Sequence, residues 1–399
     1  MILTTLLALA ALPQEAPQSD LTVYTAAKVY TADTAGMINN GLVVVKDGDI
    51  VWVGREADAE IGEGVKVVDL GNAWLVPGLI EPHNHIAGSL RDLNDTVFLT
   101  NPELHTAEVL EPENPYLKDA VAGGITSALF IPGSGSNMGG FGMLVKTAGE
   151  TVEDMVMRSP GSLKVAQAGN PERYSFGVGR ALMNWNTRDT FQKGLQWARD
   201  YQDGKAEWDP KWGDFVGLEN GTVPVSVHTQ MFQVALMTVT MQVEELGLRS
   251  FIDHGTFDAF KNAEYVAKIG VPVMNGPRQF WFDRSTSQFM GCAAGWMEAD
   301  GITLGYNTDA PVIPQEELPF QAAMGVRLGA GDGLDALHGM TANAAIALLI
   351  EDQTGRLVPG LDADLVAWTG DPVDPRSSVL KVWIDGNKVY DIEEDARRY

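Results

Sequence analysis

Two hydrophobic–polar patterns divide this chain, one at both ends and another between them. From about Leu21 to Leu75, Val and Ile alternate with polar residues and are broken by turn signals. Gly41–Lys46, the pair Asp47-Gly48 and then Asp49–Val53 read as a β-hairpin. Val65–Asp69 and Ala73–Val76 continue the strand pattern. The other end resembles it, with Ala363–Trp368, Val379–Ile384, the turn Asp385-Gly386-Asn387 and Lys388–Tyr390. Together the end segments, residues 20–76 and 352–399, predict one small composite β-sandwich beside a central body.

Residues 77–351 follow a different rule. Short apolar runs end in Gly, Pro or polar residues and give way to longer helical stretches. The runs are Trp74–Ile80, Ile125–Ile131, Met143–Lys146, Leu163–Ala166, Val223–Val227, Ser250–Ile252, Val271–Met274 and Ile302–Tyr306. Eight strands alternating with helices, at about 32 residues per unit, predict an α/β fold of the (β/α)8 TIM-type barrel class.

Ile2–Leu12 is an apolar run too short to span a bilayer, which takes about 20 residues. It fits the hydrophobic region of a secretory signal, with small residues for cleavage at Ala8, Ala10 and Ala16, although no Lys or Arg precedes it. Residues 1–19 are therefore expected to be a signal peptide. That implies a periplasmic or secreted protein with no membrane partner once the signal is removed; a cytoplasmic protein is the alternative.

Composition narrows the chemistry. The 399 residues carry 28 Lys and Arg against 53 Asp and Glu, a net charge of −25, which disfavours nucleic acid and anionic membranes as partners. Cys292 is the single cysteine, so an intrachain disulfide, a zinc–thiolate cluster and an iron–sulfur site are all excluded. Any metal must be held by nitrogen and oxygen.

Four of the six histidines close predicted strands. His83 and His85 end the first run, and residues at i and i+2 of a strand share a face. His228 ends the fifth run, His254 the sixth, and Asp309 follows the eighth. Barrel enzymes carry their reactive groups at that rim. Four imidazoles and a carboxylate suit one or two divalent ions, zinc first, with manganese or iron as alternatives. His105 and His338 follow no strand signal and read as structural, and Cys292 as buried filler.

At these residues the chain resembles the metal-dependent amidohydrolase superfamily, and within it the imidazolonepropionase-like branch. The resemblance begins with Pro77-Gly-Leu-Ile-Glu-Pro-His83-Asn-His85 and runs through His228, His254 and Asp309. It closes with Thr341-Ala-Asn-Ala-Ala, Gly355–Gly360 and Ala363–Val366. The pattern departs before the first histidine, where Glu81 and Pro82 follow Ile80, and on the fourth strand, where Gly169 stands at a position often held by Glu. The resemblance implies a carboxylated lysine bridging two ions from that fourth strand. Lys164 is the candidate, with Lys146 on the preceding run as its competitor.

It also implies metal-assisted hydrolysis of a carbon–nitrogen bond, cyclic amide or peptide-type, in a small molecule or dipeptide. His83, His85 and Asp309 would hold one ion, and His228 and His254 the second. Asp309 would take the proton of the attacking water, and with one ion His254 would face the oxyanion. An exported Xaa-Pro or Xaa-Arg dipeptidase and a ring deaminase are the alternatives within enzymes, and a metal- or ligand-binding protein without catalysis lies outside them. A homo-oligomer is compatible with all of these. Gly133–Gly140 reads as a backbone-lined loop, while Asn170–Tyr174 and Arg278–Arg284 bring arginines and aromatics near the rim for a substrate carboxylate or ring.

Overall fold

The computed structural model describes residues 21–88, 93–167, 169–174 and 178–397. The expected signal peptide lies outside the described residues. The chain opens with β1 (Leu21–Tyr30), β2 (Met37–Lys46), β3 (Asp49–Arg55), β4 (Lys66–Asp69) and β5 (Trp74–Pro77). Asp47 and Gly48, at φ +52° and +95°, make the tight β2–β3 turn that the Asp-Gly pair predicts.

A barrel sheet follows: β6 (Leu79–Asn84), β7 (Ile125–Phe130), β8 (Met138–Lys146), β9 (Val156–Ala166), β10 (Val225–Thr229), β11 (Ser250–His254) and β12 (Val273–Asn275). A two-stranded hairpin, β13 (Phe280–Asp283) and β14 (Gln288–Gly291), precedes the last barrel strand, β15 (Leu304–Tyr306). The chain ends in β16 (Leu365–Trp368), β17 (Val379–Ile384) and β18 (Asn387–Asp391).

The two terminal segments join in one eight-stranded sheet, in which β5 pairs antiparallel with β16 from Trp74–Trp368 to Pro77–Leu365. The predicted run Trp74–Ile80 thus serves both sheets, divided at Gly78. A Cβ at Gly78 would sit 1.9 Å from Thr126 Oγ1, so only glycine lets the chain cross between the sheets there.

The second sheet has the order β15-β12-β11-β10-β9-β8-β7-β6. An Asn84–Ala310 bridge and a hydrogen bond from His85 N to Ala310 O (2.9 Å) bring its two ends together into a nearly closed barrel. Each of the eight predicted runs contributes a strand to it, but the expectation of strict strand–helix alternation fails at one place. β7, β8 and β9 form an antiparallel meander, and β8 runs backwards relative to the others. The cause is connection length: residues 131–137 are too few for the crossover of about a dozen residues that parallel strands need. Beyond β9, helices return between strands, among them the 23-residue helix Arg180–Gln202, whose Phe191 and Leu195 pack with Phe215 against Leu163 and Val225.

The inversion places the two lysines at opposite ends of the barrel. Because β8 is reversed, Lys146 at its C-terminal end points away from the barrel mouth. Its Nζ lies 2.7 Å from Asp362 Oδ2, 2.7 Å from Asp364 Oδ2 and 3.1 Å from Asp385 Oδ1, which fastens the barrel to the terminal sheet. Burial works to lower the Lys146 pKa, but the three carboxylates outweigh it and raise it above the ordinary lysine value. Removing a buried partner leaves uncompensated charge, so Lys146→Met is expected to lower unfolding free energy by about 3–5 kcal/mol. Chemical denaturation checks this; a loss below about 1 kcal/mol would mean the cluster holds nothing together.

The residues read as structural behave so. His105 Nε2 pairs with Asp214 Oδ2 at 2.8 Å and its ring stacks on Phe141. His338 Nδ1 lies 3.3 Å from Tyr30 Oη. Cys292 is buried, and burial pushes its thiol up to about 11, where it stays protonated.

Candidate active site

His83, at the end of β6, lies at the centre of the barrel mouth. Its Nε2 lies 3.1 Å from His85 Nε2 and 3.2 Å from Asp309 Oδ1, and His85 Nε2 lies 3.3 Å from the same oxygen. Lys164 Nζ, on β9, is 3.1 Å from His83 Nε2. On the far side, His254 Nε2 lies 2.7 Å from His228 Nδ1, and the His83 and His254 rings are 4.7 Å apart. All six residues expected from the sequence therefore converge.

The backbone aims the outer members. His254 and Asp309 sit at φ +72° and +51°, in the left-handed region that His and Asp enter more readily than most residues. At His254 this turn ends the alternation of β11, and its neighbour Asp253 also reaches the cluster. Asp253 Oδ2 lies 3.1 Å from His83 Nδ1 and accepts a hydrogen bond from Ser226 Oγ, while Oδ1 is buried with no partner among the described residues.

Sequence reasoning missed Asp253, because strict alternation would point it away. The one available signal was its place directly before His254. Ser134 was missed too: from the glycine-rich loop its Oγ lies 2.9 Å from His228 Nδ1. Glu81, noted only as a departure from pattern, is fully buried and spans the site. Its Oε1 accepts from His83 N (3.0 Å), and its Oε2 accepts from Thr308 N (3.0 Å) and Thr308 Oγ1 (2.7 Å). It thereby ties β6 to the loop that carries Asp309. Burial raises its pKa to about 8, against the pull of Thr308 and His83.

Hydrogen bonds fix which ring nitrogens are free. His85 Nδ1 donates to the Ile131 carbonyl (2.8 Å) and His254 Nδ1 to the Gly276 carbonyl (2.9 Å), leaving each Nε2 a lone pair directed into the cluster. Burial lowers the pKa of His85, His228 and His254, the last to about 4, so these rings are neutral donors at pH 7. His83 differs. Burial and Lys164 lower its pKa, but Asp253 and Asp309 outweigh them and raise it.

Asp309 is raised by burial, yet His83 and the neighbouring imidazoles hold it well below the carboxylate range. Burial brings Lys164 down to about 8. Positive charge is thus drawn to the point between His83 and Asp309.

A divalent cation fits that point. Donors about 2.0–2.1 Å from a tetrahedral zinc stand about 3.3 Å apart, close to the spacing of His83, His85 and Asp309. One donor atom each of His83, His254 and Asp309 also falls within 4.8 Å of the others.

Two adjoining cavities, of about 550 and 900 Å³, open onto the cluster and share Asn170, His228, Asp309 and Val312. The smaller is walled by Gly133 and Gly135, where Asn94 approaches too closely for any Cβ. The larger holds Arg278 beside Phe257 and Phe280. Of the rim residues proposed from sequence, the side chains of Arg173 and Tyr174 lie outside the described residues.

An eight-stranded barrel whose strand ends gather histidines and a carboxylate around one buried point is an arrangement that could hold a metal ion. The amidohydrolase family profile matches residues 243–389. Over 93% of this chain and 100% of the other, the fold superposes on an amidohydrolase from Thermotoga maritima MSB8 with a TM-score of 0.82 and 29% identity. Imidazolonepropionase of Pseudomonas putida (strain GB-1) is 24% identical over 88% of this chain and 92% of its own length. Amidohydrolase tasK of Hapsidospora irregularis is 25% identical over 88% of this chain, which spans only 40% of that protein's length. The chain is similar to imidazolonepropionases and other amidohydrolases over most of its length, and these matches support an enzyme that hydrolyses carbon–nitrogen bonds.

Proposed function

We propose that this protein is a divalent-metal-dependent hydrolase of a cyclic amide or peptide-type C–N bond. The observation that carries the reading is the convergence of His83, His85 and Asp309 within 3.3 Å of one another at the mouth of the two-lobed cavity. His83, His85 and Asp309 would hold one ion; His228 and His254 would hold a second, with Lys164 between them if carboxylated. A neutral amine is the form that adds carbon dioxide, and burial of Lys164 favours it.

A bound divalent cation supplies Lewis acidity toward the substrate carbonyl and makes water more acidic. The rest falls to the chain. Asp309, ionised at neutral pH, takes a proton from the attacking water and passes it to the leaving nitrogen. Asp253 holds His83 by its Nδ1, and Glu81 keeps His83 and the Asp309 loop in register.

Metal analysis of the purified protein, coupled to a screen of N-acyl amino acids, dipeptides and lactams, tests the proposal. One to two divalent ions per chain and a turnover lost on chelation are expected. Turnover undiminished in metal-free protein would overturn it, and the mass of the peptide containing Lys164 reports carboxylation.

A further inference from the structure

The larger lobe of the cavity has a feature that hydrolysis itself does not use. Arg278 is the only lysine or arginine among the described residues that line either lobe. No carboxylate pairs with it among the described residues, although Glu317 lines the same lobe. Its guanidinium instead lies over the Phe257 ring, 5.1 Å from the centroid, on an exposed stretch of the rim. In a chain with 53 acidic residues against 28 basic ones, an arginine that lines a cavity is suited to recognising an anionic group.

The neighbouring walls say what accompanies that anion. Phe280, Phe320 and Met324 line the same lobe and are 45%, 48% and 42% exposed. Large apolar side chains open to a cavity favour an apolar ligand group. The lobe reaches Asp309 and His228 at its inner end, so a ligand anchored on Arg278 extends toward the reactive cluster.

We infer that Arg278 is the anchor for a substrate carboxylate, and that the substrate is an N-acyl amino acid or dipeptide whose carboxylate-bearing residue has an apolar side chain. The scissile amide lies between the lobes, and the acyl portion occupies the smaller one beside Ser134. The substrate class rests on the hydrolase reading above; the anchor is read by binding.

Calorimetry on the purified holoenzyme compares L-phenylalanine with L-phenylalaninol, which lacks the carboxylate and has no amide to cleave. Wild type should bind L-phenylalanine at least about 10-fold more tightly, and Arg278→Met should erase that preference while leaving L-phenylalaninol affinity within about twofold. In turnover, Arg278→Met should lower kcat/KM for N-acetyl-L-phenylalanine by about 10- to 100-fold, chiefly through KM.

A preference that survives in Arg278→Met, or is missing from wild type, overturns the anchor. Preference intact with no amide hydrolysed supports the anchor and sinks the hydrolase reading. Hydrolysis with no preference does the reverse.

Discussion

Asp309→Asn is expected to lower kcat by about 10²- to 10⁴-fold while leaving KM within a few-fold. The amide keeps an oxygen facing His83 and His85, so the geometry at 3.2 and 3.3 Å has a stand-in. What it cannot do is accept a proton. The carboxylate is suited to that step because His83 and the other imidazoles around it outweigh the burial that would otherwise protonate it. It is therefore ionised across the whole neutral range, and the acid limb of the rate profile should not report it. Steady-state kinetics on metal-loaded protein gives the answer, with metal content measured on the same sample. A variant with its ions in place and more than a tenth of wild-type kcat would remove Asp309 from the proton path.

The second large effect is expected from His83→Ala. His83 touches His85, Lys164, Asp253 and Asp309 at once, and no other residue of the cluster touches so many. Its loss removes a metal donor and leaves Asp253 and Asp309 facing a hole, two buried carboxylates without the group that balances them. The metal content should fall by at least one ion per chain. Because Lewis-acid stabilisation is worth several kcal/mol, kcat/KM should fall by about 10³-fold or more. Plasma emission and turnover, read together, check this. Wild-type turnover in a metal-free His83→Ala preparation would discard the metal reading altogether.

The site was more legible than the scaffold around it. His83 and His85 declare themselves by i, i+2 spacing at a strand end, and His228, His254 and Asp309 by recurring at the same place in later units. Asp253 could not be found that way. It enters because His254 leaves the extended region, and a left-handed φ at a non-glycine residue is set by the tertiary surroundings. The reversed β8 was hidden for a related reason. Hydrophobic runs show that a strand exists but carry no direction, and only the seven-residue loop before Met138 hinted that the chain doubles back. The ambiguity between Lys146 and Lys164 followed directly: both end apolar runs, and only strand direction separates mouth from base.

The pairing of β5 with β16 sets an order of events for the newborn chain. The partner of Trp74 is Trp368, nearly the whole barrel later in synthesis, and Asp362, Asp364 and Asp385, which neutralise Lys146, emerge with it. Until then the barrel has an open β5 edge and a cation at its base with no counter-charge, a non-local closure of the kind that slows folding. The histidines can gather earlier, but the last stretch of chain acts as the clasp that locks the scaffold holding them.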